Sequence, residues 1–225
     1  MNKNWSSIRI GKIPVLCGRP AIIVSYKART SESLLKSLQK KTREADLVEI
    51  RYDLIPARSE KGLENLLSAL DSMKLTYIFT YRTQDAEEAV RYYGIATDNN
   101  APAIDVDVRL PGIKSGKSCR FSSFHGEHAS MSRQLLKRLL SGKPDVVKLG
   151  ISYENRQDLL SDLLLIAKEY DGIDRPLCFS PMGKGGFMRA VAAYFISDFV
   201  YAPGSGRTAE GQLTFKQYMS IFSLY

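Results

Sequence analysis

Short β-rich runs alternate with helical patterns along the whole chain, and that alternation limits the fold more than any single motif. The runs fall at 20–25, 46–51, 75–80, 103–107, 119–124, 144–149, 176–181 and 197–201. Between and after them lie helical periodicities over 30–44, 59–73, 84–93, 130–141, 154–169, 185–195 and 211–222. "TSES" at 30–33 and "SEKGLENLLSAL" at 59–70 put a hydroxyl ahead of apolar periodicity, as a helix start does. Eight strands with helices between them, in 225 residues, predict an α/β protein of the (β/α)₈ barrel type. A doubly wound open sheet is the alternative, but no glycine-rich loop follows the first strand. "MGKGGFMR" at 182–189 lacks the spacing of a phosphate-binding loop. No linker or low-complexity tract divides the chain, so residues 1–225 read as one domain.

Two irregularities stand out. Between the fourth and fifth strands, "VRLPGIKSGKS" (108–118) holds Pro111, Gly112 and Gly116, which predicts a shortened crossover without its helix. Residues 8–17 alternate apolar and polar side chains around Gly11, as a hairpin closing the barrel bottom would.

Composition excludes several functions. Hydrophobic residues at 44% and charged residues at 25% belong to an ordinary globular protein. "AVAAYFI" at 190–196 is too short to span a bilayer, and the N-terminus has no signal-length apolar core, so a cytoplasmic protein without membrane association is expected. Cys17, Cys119 and Cys178 are far apart, and His125 and His128 are the only histidines, which argues against a disulfide framework or a metal site. The net charge of +8 suits anionic small molecules. The basic residues are dispersed and no recognition signature is present, so no nucleic-acid partner is expected.

The polar ends of the strands carry the chemistry. In "ADLVEIRYDL" (45–54), strand alternation puts Leu47, Glu49, Arg51 and Asp53 on one face and Val48, Ile50 and Tyr52 on the other. An edge strand with a solvated face would show the same pattern. In a barrel, however, the C-terminal strand ends form the reaction site. The third strand runs into "TYRT" with Arg82. The fifth runs into "SSFHGE", where Ser123 and His125 share a face. Lys148 interrupts the apolar sixth strand in "VVKLG", the seventh leads into "SPMGKGGFMR", and "GRTAEGQ" follows the eighth. Singly, each is as well explained by surface or salt-bridge residues. Together they would converge on one cavity, where a lysine among cations favours the neutral amine that attacks carbonyls.

The ordered set "EIRYD", "TYRT", "SSFH", "VVKLG", "PMGKGG" and "AEGQ" resembles type I 3-dehydroquinate dehydratase, over residues 20 to about 220. The resemblance implies a barrel that dehydrates 3-dehydroquinate to 3-dehydroshikimate in aromatic amino-acid biosynthesis, with neither metal nor organic cofactor. It makes Lys148 the Schiff-base lysine, His125 the general acid and base, and Glu49 the carboxylate that orients the histidine. Arg51, Arg82, Arg189 and Gln212 match substrate-binding residues, Met182 a residue lining the site, and Thr208 the position of a binding serine. Bidentate guanidinium groups suit a carboxylated, hydroxylated ring. The family admits a homodimer, and also fusion to or association with shikimate dehydrogenase.

Some positions depart from the family. Gly126 follows the histidine where Asp or Asn is common, and Glu210 replaces a proline. Ala86 stands where a glutamate is often found, with Glu87 or Glu88 as substitutes. Two other readings share parts of the pattern: another Schiff-base barrel such as a class I aldolase, and an anion-binding barrel without catalysis.

Overall fold

The computed structural model describes residues 9–10, 13–14, 18–41, 45–110, 112–204 and 212–223. A minimal antiparallel hairpin, β1 (Arg9–Ile10) with β2 (Ile13–Pro14), precedes the main body and pairs Ile10 with Ile13. The expected hairpin is therefore present, while its side chains lie outside the described residues.

Eight strands follow: β3 (Ala21–Tyr26), β4 (Leu47–Arg51), β5 (Tyr77–Thr80), β6 (Ala103–Asp107), β7 (Cys119–Glu127), β8 (Val146–Tyr153), β9 (Leu177–Gly183) and β10 (Phe199–Pro203). They form one sheet in the order β10-β3-β4-β5-β6-β7-β8-β9, with every pair parallel. The seam between β9 and β10 is closed partly by side chains. The Asp198 backbone N–H donates to Leu177 O at 2.7 Å, and the Leu177 N–H donates to Asp198 Oδ2 at 2.8 Å. Ser197 Oγ accepts from the Phe179 N–H at 2.8 Å and donates to Phe199 O at 2.9 Å. The result is a (β/α)₈ barrel.

The helices are α1 (Ser31–Lys41), α2 (Glu60–Ser72), α3 (Ala86–Asp98), α4 (Arg133–Ser141), α5 (Arg156–Glu169), α6 (Arg189–Phe195) and α7 (Phe215–Phe222). Ser59 caps α2 by accepting from the Gly62 N–H, and Asp85, Ser132, Asn155 and Thr214 cap α3, α4, α5 and α7 in the same way. Between β6 and β7 no helix appears among the described residues, which matches the shortened crossover.

Strand alternation sorts the core into two shells. Val48, Ile50, Phe79, Ile104 and Val106 face outward onto the leucines of α2 and the small and aromatic residues of α3. Ala21, Ile23, Leu47, Ile78, Phe121, Cys178 and Phe199 face inward and fill the lower barrel. Each such side chain taken fully from water contributes about 1.5–3 kcal/mol. Above this apolar floor the inward positions turn polar, toward the C-terminal ends of the strands. No helix among the described residues is long and apolar enough to cross a membrane.

Candidate active site

The polar layer surrounds a cavity of about 220 Å³. Glu49, Arg51, Arg82, His125, Lys148, Met182, Arg189 and Gln212 all line it, so eight side chains expected from sequence meet at one place. Thr208 and Glu210 lie outside the described residues. Gly150, Ser180 and Tyr201 complete the wall.

Lys148 is 5% exposed in the cavity wall. Its register partners are Ser123 on β7 and Cys178 on β9, so its inward direction is set by the ladder on both sides. Its nearest partners are carboxylates rather than the cations expected around it. Nζ donates to Asp105 Oδ2 at 2.6 Å and to Glu49 Oε1 at 3.1 Å, and lies 3.9 Å from the centre of the Tyr201 ring. Buried charges of this kind persist only when paired and hydrogen-bonded.

Those two carboxylates are held in turn. Glu49 accepts from Ser25 Oγ at 2.5 Å and from Thr80 Oγ1 at 3.1 Å. Arg82 donates to Asp105 Oδ2 at 3.0 Å and to Ser123 Oγ at 3.3 Å. Burial acts to raise the Asp105 carboxyl, but the Lys148 and Arg82 cations outweigh it and hold it ionised. For Glu49 the same contest, burial against Lys148 and Arg51, also ends below the usual carboxylate range.

His125 lies on β7, opposite Gly150 on β8. Burial first, then repulsion from Arg82 and Lys148, pushes its imidazole well below the usual histidine value and keeps it neutral. Its Nδ1 is buried without a hydrogen-bond partner. Glu49 lines the same cavity, and its oxygens accept from Ser25, Thr80 and Lys148. His128 occupies a different environment. Nδ1 sits 2.9 Å from Asp162 Oδ2 and Nε2 3.5 Å from Asp158 Oδ1, both on α5.

The arginines approach from three sides. Arg51 is fixed by a two-point contact to Asp53, at 2.9 and 2.6 Å. Arg189 opens α6 after the glycine-rich turn, is 3% exposed, and donates Nε–H to Pro181 O at 2.8 Å. Lys184, in that same turn, pairs with Glu154 in solvent, outside the cavity lining.

The departures from the family pattern have local causes. A Cβ on Gly126 would stand 2.7 Å from the Phe124 ring, so the residue after His125 gives that ring its room. Neither Glu87 nor Glu88 lines the cavity. Glu88 accepts from Tyr81 Oη at 2.7 Å and Thr83 Oγ1 at 2.8 Å, and Glu87 is exposed on α3.

Asp105, Tyr201 and Gly150 were not singled out by sequence reasoning. Asp105 carried the same signal as Lys148, a charge at an inward position of an apolar run. Tyr201 carried none, since an aromatic residue in a strand reads as core.

The model of type I 3-dehydroquinase matches residues 22–225. A 3-dehydroquinate dehydratase of Thermoplasma volcanium is 32% identical over 224 residues, covering 98% of this chain and 96% of that protein. The crystal structure of the 3-dehydroquinate dehydratase of Geobacillus kaustophilus superposes with a TM-score of 0.83 at 17% identity, covering 96% of this chain and 95% of the other. The dehydroquinate dehydratase and shikimate dehydrogenase structure of S. pombe AroM matches with a TM-score of 0.66 at 21% identity. That match spans 89% of this chain and 43% of the fungal one. With the family model spanning nearly all of the barrel and the cavity built from the same ordered motifs, the chain belongs to the type I 3-dehydroquinase family.

Proposed function

We propose that this chain dehydrates 3-dehydroquinate to 3-dehydroshikimate through an imine on Lys148. The observation that carries the reading is a buried lysine in the wall of a cavity that a neutral histidine and three arginines also line. The Lys148 amine attacks the ring ketone and expels its oxygen as water, leaving an iminium. That iminium draws electrons from the adjacent carbon and acidifies its C–H. His125, kept neutral by its surroundings, takes the proton, and the electron pair passes to nitrogen as an enamine. The enamine then pushes out the hydroxyl one carbon further on. His125 returns its proton to that leaving group, and hydrolysis of the imine frees product and lysine.

Arg189, Arg82, Arg51 and Gln212 would bind the substrate carboxylate and hydroxyls, with Met182 lining the site, the Thr208 hydroxyl standing for the family's binding serine, and Arg189 the main carboxylate clamp. Glu49 and Asp105 fix the approach of Lys148. The neighbouring fungal structure combines both activities in one protein, which supports shikimate dehydrogenase as an associated or fused partner.

Adding 3-dehydroquinate to the purified protein should produce the ultraviolet absorbance of a conjugated enone. Binding without that absorbance would identify an anion-binding barrel. Products of carbon–carbon cleavage would identify an aldolase.

A further inference from the structure

Tyr201 lies on β10 in the apolar floor of the barrel, packed with Ile23, Leu47, Cys178 and Phe199, and it also lines the cavity. Its ring face meets the Lys148 nitrogen at 3.9 Å from the centroid, well inside the reach of a cation–π contact. Its hydroxyl is buried and has no hydrogen-bond partner. Burial first, then the Glu49 and Asp105 charges, keep the phenol protonated, so Lys148 faces an aromatic ring and not an anion.

We infer that the ring face of Tyr201 is the platform that stabilises the positive charge on the Lys148 nitrogen each time it forms, above all in the iminium that follows substrate binding. The inference rests on the imine chemistry proposed above and follows from counting hydrogens. The ammonium has three N–H groups, of which Asp105 and Glu49 accept two. Imine formation joins R–NH₃⁺ and the ketone to give R–NH⁺=C and water, so two hydrogens leave with the ketone oxygen. The iminium keeps one N–H, and at least one of the two carboxylates must lose its hydrogen bond. Attraction to a ring face needs no hydrogen, only the charge and its position. Tyr201 is the contact that survives the change of bonding at nitrogen.

The test separates the ring from its hydroxyl. Tyr201→Phe keeps the face and removes the unpartnered oxygen, and should therefore retain far more of the parent kcat than a variant without the ring, since no hydrogen bond is lost. Tyr201→Leu removes the face and should lower kcat about thirtyfold, the scale of a desolvated cation–π contact, with KM changed much less. Its kcat should also decline at lower pH on the alkaline side, because the iminium gives up its proton more readily. Phenylalanine and ring-fluorinated phenylalanine at position 201 repeat the comparison at nearly constant shape, so folding is preserved. There kcat should fall stepwise with fluorination. Equal activity across the fluorinated series, or equal losses in Tyr201→Phe and Tyr201→Leu, would overturn the inference. Borohydride trapping of the parent keeps the two readings distinct. If the parent forms no adduct on Lys148, the imine mechanism fails. If it does and the series is flat, the role of Tyr201 alone fails.

Discussion

The 2.6 Å contact between Lys148 and Asp105 joins two groups that are almost wholly removed from water. Taking away one charge of such a pair leaves the other buried without compensation, at a cost of about 3–5 kcal/mol. Asp105→Asn keeps the volume but not the charge, and it withdraws a partner from Arg82 as well. Its unfolding free energy, read from the denaturant midpoint, is therefore expected to fall by that amount. An unchanged midpoint would show that Lys148 and Arg82 are compensated elsewhere. Glu49 and Lys148 were legible in the sequence because each is a charge at an inward strand position among apolar residues. Asp105 has the same signature between Ile104 and Val106. No motif drew attention to it, and its importance appears only when β6 and β8 are brought across the barrel. The link between Glu49 and His125 was expected from resemblance alone, and both side chains line the one cavity.

Strands β7 and β8 run about three to four residues beyond the ends that sequence suggests, to Glu127 and Tyr153. Polar residues and glycines in "HGE" and "GISY" read as loop. The parallel ladder nevertheless continues through them and pairs His125 with Gly150 and Glu127 with Ser152. This extension is what aims His125. A Cβ on Gly150 would stand 2.6 Å from His125 Cδ2 and 3.1 Å from Nε2, so any larger residue must turn the ring. Gly150→Ala is expected to lower kcat by about the 10²-fold that a misplaced catalytic group costs, while strand pairing and melting temperature stay nearly intact. Full activity in that variant would mean that the ring position seen here is not the working one. The helix-free crossover from β6 to β7 was legible because proline and glycine density over 108–118 left no periodicity to bury.

At the scale of the molecule, an apolar lower barrel carries a polar upper layer, and the chain order of the motifs maps onto the order of the strands around it. That correspondence made the fold legible. The side-chain closure between β9 and β10 was not, because the strand pattern over 197–201 gives no sign that Ser197 and Asp198 bridge to β9. His128 ties the end of β7 to α5 and serves stability rather than the cavity. The Asp162 hydrogen bond, with the charges of Asp162 and Asp158, raises its imidazole above the ordinary value despite some desolvation. A folded pKa above the unfolded one contributes stability that is complete below the unfolded pKa and disappears as pH rises through the folded one. The stability difference between the parent and His128→Gln should thus be greatest below about pH 6 and shrink on going alkaline. A difference that grows with pH would contradict the ion-pair assignment. The central claim is the covalent role of Lys148, and borohydride reduction in the presence of 3-dehydroquinate tests it most directly. Peptide mass mapping should find a ligand-sized mass on the peptide carrying Lys148, and none in Lys148→Ala. A stable adduct on Lys184 with Lys148 unmodified, or turnover in Lys148→Ala at the parent rate, would contradict the account.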